Sequence, residues 1–198
     1  SLQFRTMKEF AIKAFDDSAE IKRRFARDHA DRIVRVAQLI GGAFQAGHKV
    51  LLFGNGGSST DAAHIAAEFV GRYKRERAPL PAIALATDIA AITCIANDYG
   101  FEELFARQVQ AHGQRGDVAI AISTSGNSPN VLKGVEAAKA LGLTTIAWTG
   151  GSGGKLADMV DYAFVVPSTL TARIQESHIT LGHVLCELIE DHVLANPA

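Results

Sequence analysis

Three side chains that can transfer protons or bind a metal ion fall at helical spacing in the first half of the chain. Asp61, His64 and Glu68 occupy positions i, i+3 and i+7, which places them on one face of a helix. A histidine and a glutamate one turn apart usually form a surface pair. Here the helix begins at a small-residue loop that we expect to bind an anion, and this position favours a functional site.

A second pair of polar side chains lies in a strongly apolar helical segment near the end of the chain. Gln175 and His183 are eight residues apart and share a face, with Ile179 between them. Buried polar groups need partners, so these two either satisfy each other or a neighbouring subunit, or they meet His64 and Glu68 across a cleft. In the second case two imidazoles, a carboxylate and an amide oxygen could hold a divalent metal, although glutamine is an uncommon zinc ligand.

The expected anion sites are two loops of small residues, each of which directly follows an apolar run. Residues 54–59 read GNGGSS after VLLF, and residues 123–128 read STSGNS after VAIAI. Glycine lets the backbone approach a ligand, free N–H groups at a helix start attract phosphate, and hydroxyl groups add donors. Both loops therefore predict phosphate binding, and a sugar phosphate is the expected ligand.

Three other glycine-rich motifs fit this chain poorly. The first loop departs from a dinucleotide fingerprint, because Ser59 occupies the place of the third glycine and no acidic residue ends the next strand. A Walker A motif fails at GK 154–155, because Leu156 follows. GGSGG at 150–154 formally fits a nucleophile elbow, but four glycines surround Ser152 and the sequence has no HGGG-type oxyanion motif. We interpret that segment as a flexible turn.

The elements that position these loops alternate between strand and helix from about residue 48 to 167. The expected strands are short and apolar without polar alternation, which is typical of strands buried on both faces. The pattern predicts an α/β fold in which helices cover both faces of a parallel sheet. The predicted strands are Lys49–Phe53, Ala82–Ala86, Asp117–Ile122, Thr144–Trp148 and Tyr162–Val166, and the predicted helices cover 58–73, 88–97, 101–112, 129–141 and 153–159.

Long helical segments flank this sheet core on both sides in the sequence. Residues from about 7 to 46 are interpreted as one broken helix or two consecutive helices, and residues from about 171 to 195 as one helix. The second segment is apolar on more than one face, which indicates burial in an oligomer. Because no linker divides the sequence, we expect residues 1–198 to form a single domain.

Composition and charge exclude several classes of protein. The formal net charge is −1, so there is no broad basic field for nucleic acid. No apolar stretch approaches the ~20 residues that a membrane-spanning helix needs. Cys94 and Cys186 are far apart and form no CxxC motif, so both are interpreted as reduced core residues of a cytoplasmic protein. We expect neither nucleic acid nor a membrane as a partner.

These motifs together resemble those of the phosphoheptose isomerases, from roughly residue 10 to residue 195. The matching segments are GNGGS at 54–58, DAAHIAAEF at 61–69, ANDYG at 96–100, ISTSGNS at 122–128 and ARIQESH at 172–178. The resemblance implies the sugar isomerase (SIS) fold, a flavodoxin-like five-stranded parallel sheet, in a homotetramer. It also implies conversion of sedoheptulose 7-phosphate to D-glycero-D-manno-heptose 7-phosphate, the entry step to the heptose of bacterial surface glycans such as lipopolysaccharide.

The resemblance further implies a role for each matching residue. Glu68 and His183 are the expected proton-transfer pair, and one zinc ion per subunit is expected at His64, Glu68, Gln175 and His183. Whether zinc is catalytic or regulatory, and whether one subunit completes the site, stays open at this point. The expected substrate contacts are Asn55, Gly56, Gly57, Ser58, Arg72, Asp98, Ser123, Thr124, Ser125, Ser128 and Gln175.

Two alternative functions belong to the same fold. A replication-regulator branch binds the bacterial initiator protein and lacks acid–base side chains at the positions equivalent to Glu68 and His183. A sugar-phosphate sensor without turnover would keep the phosphate-binding serines but would not need those two side chains. Because this chain carries both, the sequence favours an aldose–ketose isomerase that works through an enediol(ate).

Overall fold

The computed structural model describes residues 2–196, which build one five-stranded parallel sheet with helices on both faces. The strands are β1 Val50–Gly54, β2 Ala82–Ala84, β3 Val118–Ile122, β4 Thr144–Gly150 and β5 Tyr162–Val166. All neighbouring strands pair in parallel, in the order β2-β1-β3-β4-β5. Every residue of β1 and β3 is buried, because helices cover both sides of these central strands. The predicted α/β fold is confirmed, with strand ends that differ by no more than two residues.

Seven α-helices in residues 2–196 surround the sheet, and they form two apolar cores, one on each face. The helices are α1 Leu2–Gln45, α2 Gly57–Val70, α3 Ile89–Asp98, α4 Leu104–His112, α5 Pro129–Leu141, α6 Gly154–Met159 and α7 Thr171–Ala195. Helices α1, α2 and α7 cover one face, and α3 to α6 cover the other. The helix predicted over 101–112 is divided, because a short 3-10 turn at Phe101–Glu103 precedes α4.

The expectation of a broken or double helix over residues 7–46 is wrong. Helix α1 runs without interruption from Leu2 to Gln45. No proline interrupts it, and its exposed first half carries ion pairs one turn apart, Arg5–Glu9 and Lys13–Asp17, which support a single helix. Its second half packs along α7 so closely that a Cβ at Gly41 would lie 2.4 Å from the His192 ring.

Helix α7 lies against the sheet and carries two of the predicted site residues. Its buried positions recur every three or four residues, as expected for one helix face turned to the core. Cys186 belongs to this buried face, but Cys94 on α3 is exposed, so the interpretation of both cysteines as core residues is wrong for Cys94. Within residues 2–196, no helix combines the length and apolar character needed to cross a membrane.

The strand order opens a crevice between β1 and β3. The chain passes from β1 to β2 on one side, whereas β3 continues to β4 and β5 on the other. Gly54 and Ile122, the last residues of β1 and β3, are paired, so the loops that follow them begin side by side. In open parallel sheets, ligands bind at the carboxyl ends of the strands where the order reverses.

Candidate functional site

The two predicted phosphate loops meet in one cavity of about 310 Å³, which we call the two-loop cavity. It lies beyond the ends of β1 and β3, and the start of α7 closes one side. Both loops, predicted separately from the sequence, therefore contribute to one site. The lining residues are Asn55, Gly56, Gly57, Ser58, Ile122, Ser123, Thr124, Ser128, Thr171 and Gln175.

The first loop needs glycine at two positions. Gly56 has a φ of 56°, in the left-handed region that favours glycine. At Gly57, a Cβ would lie 2.6 Å from Nε2 of Gln175, so a side chain here would displace that amide. The beginning of α2 therefore faces the cavity with bare backbone, which is the arrangement that binds phosphate at helix starts.

The second loop presents hydroxyl groups to the same cavity. Oγ of Ser123 lies 3.2 Å from Oγ of Ser128, and the N–H of Gly126 donates to Oγ of Ser123 at 3.2 Å. Ser128 immediately precedes α5, so its hydroxyl lies next to a second helix start. Hydroxyl and backbone donors from two helix starts thus converge on a volume suited to a phosphate group.

A reciprocal pair of amides fixes the two loops relative to each other. Nδ2 of Asn55 donates to Oδ1 of Asn130 at 2.8 Å, and Nδ2 of Asn130 donates back to Oδ1 of Asn55 at 3.0 Å. Asn130 is buried at the start of α5. Since each amide satisfies the other, the pair holds the first loop at a set distance from the helix that follows the second.

Three side chains that can transfer protons or bind a metal come together at the junction of α2 and α7. Nε2 of His64 lies 3.2 Å from Oε1 of Glu68 and 3.4 Å from Nε2 of His183. We call these residues the His–Glu–His cluster. The carboxylate is less exposed than the His64 imidazole, at 23% against 47% of the side chain. Such a group can accept, hold and return a proton, and it can also ligate a divalent cation.

Two further side chains border the His–Glu–His cluster. The Tyr73 ring stacks on His183, with centroids 5.6 Å apart and planes inclined by 22°. Asp61 lies one helical turn before His64, and its Oδ2 is buried without a hydrogen-bond partner among residues 2–196. Burial raises the pKa of the Asp61 carboxyl, an effect that the nearby His64 partly opposes. This interaction of Asp61 with His64 agrees with the predicted common face of Asp61, His64 and Glu68.

A second, smaller cavity adjoins the first. Its volume is about 260 Å³, and Thr124 and Thr171 line both cavities. Ser125, predicted as a phosphate contact, lies on the wall of this neighbouring cavity, where its Oγ accepts from the N–H of Asn127 at 3.2 Å. Its contact with substrate stays a prediction.

Comparison with known proteins identifies the family. The SIS domain family model matches residues 15–150. A phosphoheptose isomerase of Aquifex aeolicus is 59% identical over 187 residues, which are 94% of this chain and 98% of that protein. The chain belongs to the phosphoheptose isomerase family.

Solved structures of other members of the phosphoheptose isomerase family share the fold. One from Francisella tularensis has a TM-score of 0.90 at 39% identity, and covers 93% of this chain and 98% of its own. Another, from Neisseria gonorrhoeae, has a TM-score of 0.85 at 42% identity, with coverage of 96% and 100%. The SIS fold expected from the sequence motifs is thereby confirmed.

Besides the residues of the two loops, three residues to which the family resemblance assigns roles lie outside the His–Glu–His cluster. Gln175, the expected fourth metal ligand, has its amide beside Gly57 on the wall of the two-loop cavity. Arg72 is exposed beyond the end of α2. Asp98 is exposed at the end of α3, where it accepts from Nδ2 of Asn97 at 2.8 Å. Neither Arg72 nor Asp98 lines the cavity, and their substrate contacts stay predictions.

Sequence reasoning missed residues that act at a distance along the chain. Asn130 locks the two loops together, and Gly182 lets α7 approach α2 just before His183. A Cβ at Gly182 would lie 2.5 Å from Cδ1 of Ile65. The sequence does carry a signal for this close approach, which is a glycine in the middle of a long helix. Because glycine weakens a helix, its presence there indicates that another element packs too closely for a side chain.

Proposed function

We propose that this chain isomerises sedoheptulose 7-phosphate to D-glycero-D-manno-heptose 7-phosphate through an enediol(ate), the first step of bacterial heptose biosynthesis. Relatives at up to 59% identity are phosphoheptose isomerases. The observation that carries the proposal is the His–Glu–His cluster, which supplies proton-transfer groups on the same two helices that border the two-loop cavity. The cytoplasmic location and the use of the product in lipopolysaccharide stay predictions.

The reaction moves one proton between C1 and C2 of the sugar. In the direction from ketose to aldose, we assign Glu68 as the base that removes a proton from C1 and later delivers one to C2. His183 protonates the C2 carbonyl oxygen as the enediol forms. Loss of the proton from the C1 hydroxyl then completes the aldehyde, so protons and electrons balance without an added oxidant or reductant.

The phosphate provides orientation rather than chemistry. His64 lies seven residues beyond Gly57 on α2, which corresponds to about 10 Å along the helix axis. An open seven-carbon chain held by its phosphate in the two-loop cavity spans a comparable distance, and its C1 and C2 reach the His–Glu–His cluster. Because the phosphate is bound at the far end of the substrate, C1 and C2 are already positioned next to the proton-transfer groups, and the reaction becomes effectively unimolecular.

A zinc ion is also part of the proposal, and the residues present fit one. The ligand atoms of His64, Glu68 and His183 all lie within 4.8 Å of one another. Tetrahedral zinc with nitrogen and oxygen ligands at ~2.0–2.2 Å needs neighbouring ligand atoms ~3.3–3.6 Å apart. The separations of 3.2 Å and 3.4 Å around His64 are close to this. When bound, the ion would supply Lewis acidity to an oxygen of the substrate.

Metal content tests whether the ion binds, and the rates of the metal-free and reloaded protein separate a catalytic ion from a regulatory one. We expect wild-type protein treated with a chelator and reloaded with zinc to bind about one ion per chain, because three ligands are already in place. His183→Asn should lose that ion while its thermal melting stays cooperative. A reloaded wild type that turns over faster than the metal-free protein supports a catalytic ion, and a slower one supports a regulatory ion.

We further propose that the chain assembles as a homotetramer. The N-terminal part of α1 exposes large apolar side chains, among them Phe4, Met7, Phe10 and Phe15. On α7, the apolar side chain of Val184 is 40% exposed. Exposed apolar clusters of this kind mark association surfaces. Light scattering should give four times the chain mass of 21.1 kDa, and a stable monomer would contradict the assembly.

Incubation of the purified protein with sedoheptulose 7-phosphate, followed by proton NMR, tests the reaction itself. We expect an aldose signal to grow at the expense of the ketose. A protein that binds the sugar phosphate without turning it over would instead be a sensor. The initiator-binding alternative is not favoured, since both Glu68 and His183 are present and the relatives are isomerases.

A further inference from the structure

A buried ion pair joins the two helices that carry the His–Glu–His cluster. Nε of Arg77, in the segment that follows α2, lies 3.2 Å from Oε1 of Glu190 on α7. The two side chains are only 3% and 2% exposed. The cost of removing two charges from water is large, so a pair this deeply buried has to be held by additional hydrogen bonds.

Arg77 supplies such bonds to the end of α2. Its Nη2 donates to the carbonyl oxygen of Glu68 at 2.8 Å, and its Nη1 donates to those of Phe69 at 2.8 Å and Gly71 at 3.1 Å. The last carbonyl groups of a helix have no partner within the helix. The guanidinium therefore caps α2 within the turn that carries the Glu68 side chain.

Glu190 holds the segment that follows α2 against α7. Its carboxylate accepts from the backbone N–H groups of Tyr73, Lys74 and Arg75 at 2.8, 3.0 and 3.1 Å. Burial alone would raise the pKa of Glu190, but these three N–H groups and Arg77 outweigh it and hold the pKa below its ordinary value. The carboxylate is thus a fixed anchor for three consecutive backbone groups.

The anchored segment bears on the His–Glu–His cluster through Tyr73. The backbone N–H of Tyr73 donates to Glu190, and the Tyr73 ring stacks on the imidazole of His183. His183 lies two helical turns before Glu190 on α7. Arg77 contacts another residue of the cluster, at the carbonyl oxygen of Glu68. One ion pair therefore contacts the backbone of one cluster residue and the stacking partner of another.

We propose that Arg77 and Glu190 are positioning residues, which set the separation of α2 from α7 and the orientation of His183 for proton transfer. The consequence for catalysis rests on the proposed isomerase function, whereas the consequence for the geometry of His183 does not. Substrate affinity should be independent of the pair, because the two-loop cavity is lined by other residues.

The chain offers a matched control in the same place. Arg75 Nη2 and Asp191 Oδ1 form another ion pair between this segment and α7, 3.1 Å apart, but both side chains are about half exposed. Exposed pairs of this kind contribute little to structure. Loss of the exposed pair should leave the His–Glu–His cluster unchanged. If only variants of the buried pair change the cluster, the effect comes from the contacts of Arg77 and Glu190 and not from the loss of an ion pair as such.

The experiment compares Arg77→Lys and Glu190→Gln with Asp191→Asn. Arg77→Lys keeps the charge but cannot donate to several carbonyl groups in the fixed geometry of a guanidinium. We expect kcat for sedoheptulose 7-phosphate to fall by about ten- to a hundredfold in Arg77→Lys and Glu190→Gln, because misplacing reacting groups by about 1 Å can cost that much. KM should stay within about twofold, and Asp191→Asn should behave as the wild type.

An NMR signal reads the geometry without any turnover. In protein labelled with carbon-13 at Cε1 of histidine, the His183 resonance, assigned with His183→Asn, senses the ring current of Tyr73. It should shift in Arg77→Lys and Glu190→Gln and stay in place in Asp191→Asn. Tyr73 is half-buried, and Tyr73→Leu leaves the ion pair between Arg77 and Glu190 intact. This variant should shift the His183 resonance in the same way.

Each outcome decides the proposal. A His183 resonance and a kcat that are both unchanged in Arg77→Lys and Glu190→Gln would overturn it, as would an equal loss in Asp191→Asn. If Arg77→Lys and Glu190→Gln both fail to fold, Tyr73→Leu decides, because an unmoved His183 resonance and a wild-type rate would refute the role of the stacked ring. If the wild type does not turn over the sugar, the proposed function fails, while the resonance shifts still test the positioning.

Discussion

Replacing Gly182 with alanine tests whether the close approach of α7 to α2 sets the site. Gly182 directly precedes His183, and a Cβ there would lie 2.5 Å from Cδ1 and 2.8 Å from Cγ1 of Ile65, and 3.2 Å from Cη2 of Trp148. Ile65 and Trp148 are both buried, so neither can move into solvent. The extra methyl group must therefore push the two helices apart or distort a packed side chain.

The expected change in the free energy of unfolding of Gly182→Ala is the difference between two opposing effects. Overpacking of a well-packed core costs about 1–3 kcal/mol. Alanine gains about 1 kcal/mol over glycine in a helix. We expect Gly182→Ala to lose up to about 2 kcal/mol of unfolding free energy, which for a chain of this size lowers Tm by about 4–8 °C. It should also lower kcat, because His183 moves away from His64.

A compensating substitution makes the explanation specific. Ile65→Val removes the Cδ1 atom nearest to the new methyl group and alone costs about 0.5–1.5 kcal/mol. In the double variant the contact at 2.5 Å is removed, whereas those with Cγ1 and Trp148 remain, so stability and kcat should recover in part relative to Gly182→Ala. Gly42→Ala on α1 is the matched control, since a Cβ there has no neighbour within 4 Å. It should gain stability through helix propensity and leave kcat unchanged.

The assays are thermal melting and isomerase rate for the wild type, the single variants and the double variant. Residues in direct contact should show a coupling free energy of about 0.5–3 kcal/mol. If the effects of Gly182→Ala and Ile65→Val simply add, or if Gly182→Ala is as stable and active as Gly42→Ala, the argument from helix spacing is refuted.

Two further predictions concern the phosphate site and a buried histidine. Ser128→Ala should raise KM for the sugar phosphate by about tenfold, because it removes one hydroxyl donor from the two-loop cavity, whereas Ser152→Ala in the neighbouring cavity should leave KM unchanged in the same rate assay. His178 is fully buried, its Nε2 lies 3.0 Å from the carbonyl oxygen of Thr149, and burial lowers its pKa from 6.5 to about 4. As pH falls, the His178 imidazole takes up a proton in the unfolded chain before it does so in the folded one, so the free energy of unfolding should fall by about 3 kcal/mol between pH 6.5 and about pH 4. His178→Gln should remove this pH dependence from denaturant unfolding measured across that range.

The features that the sequence predicts are those that depend on local patterns. The short apolar strands, the small-residue loops and the His64–Glu68 spacing each involve neighbours within about ten residues. Helical periodicity alone placed Asp61, His64 and Glu68 on one face. The sequence also offered the alternative that Gln175 and His183 meet His64 and Glu68 across a cleft. The structure places Nε2 of His183 3.4 Å from Nε2 of His64, whereas the Gln175 amide lies beside Gly57.

Contacts between distant segments could not be predicted in the same way. Asn130 appears in the sequence as an ordinary residue near a helix start, and Glu190 as one of several acidic residues in the last helix. Their importance comes from Asn55 and Arg77, which lie 75 and 113 positions away in the chain. The single long α1 escaped prediction for a related reason, because its second half packs against α7, a contact between distant segments that the local sequence does not reveal.

In the proposed reaction, Glu68 moves the substrate proton through an enediol(ate). The most direct test follows sedoheptulose 7-phosphate in deuterium oxide by NMR with wild type and Glu68→Gln. We expect the wild type to form aldose carrying solvent deuterium at C2, and Glu68→Gln to bind the sugar phosphate still but to be slower by about 10²–10⁴-fold. A Glu68→Gln variant that keeps more than about a tenth of the wild-type rate would contradict the role of Glu68 as the base.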